Sequence, residues 1–386
     1  MKQIVVPGFA ATFVAGGGRD IDTARTPELA ALAAGEHVRL VDDRDEEVGL
    51  AIADPDNQRL RVMATPKDGL TKIDGTLLAL RVERAVAWRK QLGLSGAYRL
   101  IHGAGDGLPG FQCDVLGDVA VIWVLGEGLR SLGKSLADAV QGFARVKGVV
   151  VKLRARGEAD AVKQEVVGAV DEKHVADEGG VQYEIHALSG LNTGLFTDMR
   201  EQRLGMKRFV GARVLNLFSY TGALGLAAAR AGAEYVTNVD TSQGVQAWAA
   251  GNFARAGFSG EKYRFEQGDS IRYLARAQKD REQYDLVIID PPTFSPARGA
   301  GGWVLDRDYP NLIGAAASVT RDGGILWLAA NTHDLQSLAK LAAKGIRTVG
   351  RSAQVIEQGG LPPEYPTVIA QPSDRYLQIC ALKIAQ

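Results

Sequence analysis

One stretch constrains the fold more than any other. It runs from Val214 to Gly225, VLNLFSYTGALG, and is followed by an alanine-rich run and then by YVTNVDTS, Tyr235 to Ser242. The pattern reads as a buried strand, a tight turn at Ser219-Tyr220-Thr221-Gly222, a helix, and a second strand ending on a carboxylate, Asp240. In open parallel sheets, ligands sit beyond the carboxyl ends of such strands, and an acid about 20 residues past the turn can hold a ribose diol. The unit therefore has the layout of a nucleoside site. The dinucleotide fingerprint GxGxxG needs closely spaced glycines, whereas Gly222 and Gly225 follow Ser-Tyr-Thr here, so a pyrophosphate is not the expected guest.

Two further strand ends extend the pattern. EQGDS ends on Asp269-Ser270, and YDLVIIDPPTF ends on Asp290-Pro291-Pro292-Thr293-Phe294. In order these are a first-strand turn, a second-strand acid, a third-strand acid and a fourth-strand Asp-Pro-Pro. This order resembles the class I S-adenosylmethionine methyltransferases, and implies an α/β fold with a Rossmann-like doubly wound sheet. Taken singly, an Asp after a strand is a common helix N-cap, and a generic doubly wound domain is the plain alternative.

At 386 residues, 46% of them apolar, the chain has room for two or three domains with sizeable cores. No apolar run is long enough to span a bilayer, and Met1-Lys2-Gln3-Ile4 opens on no secretory signal, so a soluble, cytoplasmic protein is expected. The two cysteines, Cys113 and Cys380, lie far apart with no CxxC or Cys/His cluster, which suggests neither a disulfide framework nor a metal site. Lys+Arg against Asp+Glu number 9 and 12 in residues 1–72, 14 and 15 in 73–190, and 22 and 18 in 191–386. With no net charge overall, any nucleic-acid surface must be a local patch.

Residues 1–72 carry short β-like runs at His37–Val41, Val48–Ala53 and Leu60–Met63, broken by Asp, Gly and Asn turns, which suggests a small barrel. By position and pattern the segment resembles the PUA domain that heads some ribosomal RNA methyltransferases. The acidic tip from Asp42 to Glu47 reads as a solvated hairpin turn. A helix is expected from Gly75 to Leu92, with Arg81, Arg84, Arg89 and Lys90 clustered away from its apolar side as a phosphate-facing or merely solvated face. The turn Gly103 to Gly110, GAGDGLPG, between two strand-like runs implies a backbone fixed for close approach.

That turn makes the resemblance specific. R-L-I/V-x-G-x-x-D-G-L-P-G followed by a strand is characteristic of the bacterial large-subunit ribosomal RNA methyltransferase I and K/L group, in which a middle α/β domain, here 73–190, precedes the catalytic domain, here 191–386. The entry GLNTGLFTDMREQR, Gly190 to Arg203, is similar to the group's G-x-(F/Y)-x-D-x-R-x-x-R. The resemblance implies cofactor contacts from Asp198 and Arg200. It also implies that the main chain of Phe218, Ser219, Tyr220, Thr221 and Gly222 holds the amino-acid end of S-adenosylmethionine. Asp240, with Ser242 beside it, would take the diol, and Asp269 with Ser270 the adenine edge. Asp290, Pro291, Pro292 and Phe294 would form the active-site loop, whose two prolines fix an extended path. In related enzymes this loop holds a planar exocyclic amine and stacks an aromatic ring on the base. Here Thr293 stands at the usual aromatic position and Phe294 follows it.

Members of the group that make 5-methylcytosine need a cysteine after GG-(I/L)-L. The equivalent stretch, GGILWLAANTHD, ends on Ala329-Ala330-Asn331-Thr332 with no thiol. Direct transfer to a base nitrogen then remains, and the stretch resembles the K half of the K/L enzyme, a guanine-N7 methyltransferase, with Asp290 and Asn331 orienting the base. A 5-methylcytosine enzyme, a protein or small-molecule methyltransferase and a catalytically inactive RNA-binding protein are the alternatives. The implied partner is 23S ribosomal RNA or a large-subunit precursor, with no membrane and no metal, and a homodimer stays open. The loop from Gly299 to Asn311, with Trp303, Arg307 and Tyr309, would suit a stacked single-stranded nucleotide or serve only as a surface loop.

Overall fold

The run that begins at Arg213 forms the first strand of a seven-stranded sheet in the computed structural model, which describes residues 1–24, 26–154, 163–292, 294–295, 303–331 and 337–385. The strands of this sheet are β1 Arg213–Leu217, β2 Tyr235–Asp240, β3 Tyr263–Gln267, β4 Tyr284–Ile289, β5 Thr320–Asn331, β6 Ser352–Gly359 and β7 Leu377–Ala385. Their spatial order is 3-2-1-4-5-7-6. β1 to β5 run parallel, and β7 is antiparallel to both β5 and β6. Strand order reverses between β1 and β4, and such a switch point opens a crevice at the carboxyl ends of the strands.

Apolar runs covered on both faces explain the central strands. Every residue of β4 is buried, and in β1 only Arg213 is exposed. The covering helices are α1 Ala223–Arg230, α2 Gln243–Arg255, α3 Ser270–Lys279, α4 Leu305–Val319 and α5 Leu338–Thr348. α3 buries Tyr273, Leu274 and Ala277, a helical spacing, against a core that includes Leu217, Val239, Ile289 and Leu328. α1 can approach β1 and β2 closely because Gly225 has no side chain. A Cβ there would lie 2.2 Å from Asn238 Oδ1, and Asn238 in turn accepts a 2.9 Å bond from Asn216 Nδ2 on the neighbouring strand.

The chain divides into two compact units. One comprises Met1–Gly180, Ile185–Thr193 and Pro363–Asp374; the other comprises Val181–Glu184, Gly194–Pro362 and Arg375–Gln386 and carries the seven-stranded sheet. The first unit holds two five-stranded sheets. The three β-like runs of the first 72 residues become His37–Val41, Glu47–Asp54 and Arg59–Ala64, flanked by Lys2–Val5 and Asp20–Asp22. The second sheet runs Lys163–Gly168, Gly148–Leu153, Val119–Val124, Phe111–Leu116, Ala97–His102. Its core, with the helices Gly75–Gln91 and Gly133–Ala144, also takes in Leu50, Ile52, Met63 and Ala64 from the first sheet.

The basic face expected on the Gly75–Gln91 helix is divided. Arg84 and Lys90 are exposed, whereas Arg81 and Arg89 are buried and ion-paired with Asp68 and Asp106. Asp106, in the glycine-rich turn, also accepts the His102 backbone N–H at 2.6 Å. The turn touches the returning segment Pro363–Asp374 so closely that a Cβ on Gly105 would lie 1.7 Å from the Pro366 carbonyl oxygen. No described helix is long and apolar enough to cross a membrane.

Gly225→Ala should lower stability by about 1–3 kcal/mol, because the added methyl overpacks the α1 contact with the buried asparagine pair. Urea unfolding checks this, and a wild-type midpoint would show that the helix can shift freely.

Candidate active site

The turn after β1 is built from backbone conformations that side chains disfavour. Phe218 has φ 55°, Tyr220 φ 46° and Gly222 φ 76°, three left-handed residues in five. For the two non-glycine residues this costs about 1–2 kcal/mol each and persists only where the surroundings enforce it. The enforcing bonds are identifiable. Ser219 N–H donates to the Val239 carbonyl at 3.0 Å, Tyr220 N–H to Asp240 Oδ2 at 3.0 Å, and Gly222 N–H to the Ser219 carbonyl at 2.8 Å. Thr221 Oγ1 donates to the Gly194 carbonyl at 2.6 Å, and the Thr221 carbonyl accepts from Asn252 Nδ2 at 3.1 Å. Ser219 Oγ accepts from Gln246 Nε2 at 3.1 Å. The Tyr220 ring packs 5.1 Å from Phe196 and 6.2 Å from Trp248, and burial pushes its phenol up to about 12.

Asp240 closes β2 half-buried, with Oδ2 on the Tyr220 N–H and Oδ1 on the Ser242 N–H at 3.1 Å. Each oxygen has a second lone pair, so the carboxylate can accept a diol without releasing the turn. Ser242 caps α2, its Oγ accepting the Val245 N–H at 3.3 Å. Asp269 caps α3, with Oδ1 accepting the N–H groups of Ile271 and Arg272, both at 3.0 Å, and Ser270 is buried as the first residue of that helix. The capping alternative for Asp269 is thus realised, whatever else the carboxylate does.

A second cluster stands at the end of β4. Asp290 is half-buried, and its carboxyl group is pushed up to about 7 by desolvation first and then by the negative charge of Asp198, with Arg203 pulling the other way. Asp198 is buried and accepts the Tyr376 hydroxyl at 3.1 Å. Arg203 is buried, donates to the Phe196 carbonyl at 2.9 Å and lies over the Tyr183 ring, while Arg200 is half-buried. Beneath Asp290, the Tyr309 hydroxyl lies 2.6 Å from the Ala329 carbonyl oxygen and 3.3 Å from that of Ile289, joining the ends of β5 and β4. Pro291 is buried and Pro292 exposed.

Asn331 ends β5 exposed, three residues beyond Leu328, the register partner of Ile289. Thr293 and Thr332 lie outside the described residues. Phe294 enters only through its backbone, which pairs with Val304. Of the loop aromatics, Tyr309 is fully buried inside α4 and is unavailable for stacking on a nucleotide, and Arg307 is paired with Asp308. The packing of Phe196 and Trp248 on Tyr220, and the roles of Arg203 and Tyr376, were not assigned from sequence, and Tyr309 was expected in a nucleotide-stacking or surface loop rather than in the core. Phe196 and Arg203 carried a signal, as the aromatic and the second arginine of G-x-(F/Y)-x-D-x-R-x-x-R.

Both cysteines are buried. Burial raises the Cys113 thiol far above its usual range and the Cys380 thiol to about 11. Cys380 sits in β7 opposite Leu328.

Comparison with known proteins agrees with this geometry. A family model described as S-adenosylmethionine-dependent methyltransferase matches residues 99–377. A Yersinia pseudotuberculosis protein named ribosomal RNA large subunit methyltransferase I is 29% identical over 364 residues, 91% of each chain. The Klebsiella pneumoniae protein of the same name is 28% identical over 367 residues, 91% of this chain and 90% of its own. A solved structure, described as a candidate methyltransferase complexed with SAH, superposes with a TM-score of 0.87 at 23% identity, covering 99% of this chain and 100% of its own. The chain belongs to the S-adenosylmethionine-dependent methyltransferase family, and S-adenosylmethionine is its cofactor.

The raised Asp290 carboxyl sets a pH dependence. It is protonated below about 7, and a cationic sulfonium bound beside it would favour the ionised form, so with that placement S-adenosylmethionine affinity should rise as pH climbs through about 7 and then level. Calorimetry in buffers of different ionisation enthalpy should register proton release. SAH, which lacks the sulfonium charge, should show a flatter profile, and equal pH slopes for the two ligands would remove Asp290 from this role.

Proposed function

We propose that this enzyme methylates a base of large-subunit ribosomal RNA, at guanine N7, without a cysteine nucleophile. The observation that carries the choice of chemistry is the burial of both thiols: a C5 mechanism needs a thiolate that adds to C6, and Cys113 and Cys380 are both held protonated. The name shared by the relatives, which align over 91% of the chain, supports ribosomal RNA as the substrate class.

Asp240 would accept the ribose diol, the main chain from Phe218 to Gly222 the amino-acid end, and Asp269 with Ser270 the adenine edge. Asp198 and Arg200 would complete the cofactor edge, with Ser242 steadying Asp240 through its N–H. When bound, S-adenosylmethionine supplies a methyl group to the N7 lone pair and leaves as a neutral thioether, with no proton to remove. The work of the chain is then orientation and exclusion of water. Asp290 and Asn331 would hold the guanine edge, with Pro291, Pro292 and Phe294 fixing the loop. Residues 1–72 would serve as a PUA-like RNA-binding module, 73–190 as the middle domain and 191–386 as the catalytic one.

Asp240→Ala should lose useful cofactor binding, since each charge-assisted bond to the diol is worth about 1.5–3 kcal/mol. An affinity within about threefold of wild type, less than one factor of ten at 1.4 kcal/mol, would take Asp240 out of the site.

The double variant Cys113→Ser, Cys380→Ser should keep methylating ribosomal RNA, and nucleoside mass spectrometry should find 7-methylguanine. Covalent trapping of the wild type on RNA containing 5-fluorocytosine, or loss of activity in a double variant that still binds cofactor, would return the assignment to cytosine C5. Asn331→Ala should lower the rate about tenfold or more while leaving cofactor affinity unchanged.

A further inference from the structure

The first unit contains a cavity of about 420 Å³, lined by none of the residues assigned above to the methyl-transfer site. Its lining includes Arg19, Arg81, Arg84 and Trp88, together with Asp106 and Gly107 of the glycine-rich turn. Most buried arginines of this unit are internally satisfied. Arg61 pairs with Asp54 and Asp20, and Arg89 with Asp106. Arg19 and Arg81 instead share one carboxylate, Asp68, at 3.9 Å and 2.9 Å. The same Asp68 Oδ2 already accepts the Thr65 N–H at 2.8 Å and the Thr65 hydroxyl at 3.1 Å.

Two buried donors are left without an acceptor, Arg19 Nη1 and Arg81 Nε, although Arg81 is only 6% exposed. Burial and then the neighbouring Arg81 charge pull the Arg19 guanidinium below its usual range, as expected for cations short of a counter-charge. Leaving such donors unpaired is costly, and an anion entering the cavity would remove the deficit. Arg84 adds a third, exposed guanidinium. Among the lining residues three arginines face one acid, Asp106, which Arg89 already neutralises. One helical turn beyond Arg84, Trp88 presents an indole that is 40% exposed and anchored by its N–H to the Pro363 carbonyl at 3.3 Å. Guanidinium groups beside a fixed, exposed aromatic ring suit a phosphate with a base attached.

We infer that this cavity binds a backbone phosphate of single-stranded RNA between Arg19, Arg81 and Arg84, with the adjoining base stacked on Trp88. It adds a contact to the RNA substrate proposed above but rests on residues outside the methyl-transfer site.

The test uses the full chain and a fluorescein-labelled single-stranded RNA of mixed sequence, about 12 nucleotides long, followed by anisotropy between about 50 and 200 mM salt. Arg84→Gln should weaken binding about three- to tenfold at moderate salt and reduce the slope of log K against log salt by about 0.7, the loss of one phosphate contact. Trp88→Ala should weaken binding about fivefold or more with the salt slope unchanged, and Trp88→Phe should recover most of it. Both side chains are exposed, so unchanged melting temperatures are the expected folding control. Wild-type RNA binding with both variants equally tight would overturn this site while leaving RNA as the substrate. If wild type does not bind the RNA, inorganic phosphate followed by tryptophan fluorescence decides. Saturation that Arg84→Gln abolishes would make this a free-anion site, and no saturation an empty cavity; either result overturns the inference.

Discussion

The carboxyl edge of the seven-stranded sheet depends on the backbone between Phe218 and Gly222 staying in a conformation that bulky residues avoid. Two left-handed non-glycine residues within three positions would relax if left alone. They are held because Asp240, at the end of the neighbouring strand, takes the Tyr220 N–H, while Ser219 bonds across to Val239. Asp240 therefore has a structural task beside the binding one proposed for it. The same carboxylate that has lone pairs free for a diol holds the adjacent turn, so the shape of the turn and the acceptor proposed for the diol are mechanically linked.

The second constraint is electrostatic. Asp290 and Asp198 place two carboxyl groups near one guanidinium, Arg203, in surroundings that water reaches poorly. Desolvation first, and the negative charge of Asp198 second, keep the proton on Asp290 to near neutrality. Tyr309 contributes without facing the ligand: its hydroxyl joins the carbonyl ends of β4 and β5, fixing the strands from which Asp290 and Asn331 project. The two prolines after Asp290 continue that rigidity.

In the first unit the contrast among arginines is informative. Arg61, Arg89 and Arg99 each meet their own carboxylate partner, which is how buried guanidinium groups are normally accommodated. Arg19 and Arg81 divide one between them. The first 72 residues are also less self-contained than their strand pattern suggests, because Leu50, Ile52, Met63 and Ala64 are buried in the core of the following sheet. Cutting the chain after residue 72 would expose that apolar face as well as remove a module.

The sequence by itself determined the β1 turn, the acids at the ends of β2 and β3, the Asp-Pro-Pro at the end of β4 and the absence of a thiol at the end of β5. These are local patterns: a strand, its following turn and its terminal residue are neighbours in the chain, and their periodicity and spacing can be read directly. Only the tertiary structure decided that Phe218 and Tyr220 are left-handed, since bonds from Val239 and Asp240, about 20 residues away, hold them so. The same is true of Tyr309, whose aromatic side chain suited a binding loop until α4 placed it wholly inside the core. It is true again of Arg81 and Arg89, which a helical pattern counts as surface charge and which Asp68 and Asp106 draw inward. Residues 363–374 join the first unit although the chain on both sides of them belongs to the second. Burial and charge pairing are set by partners distant in sequence, and no local pattern carries that information.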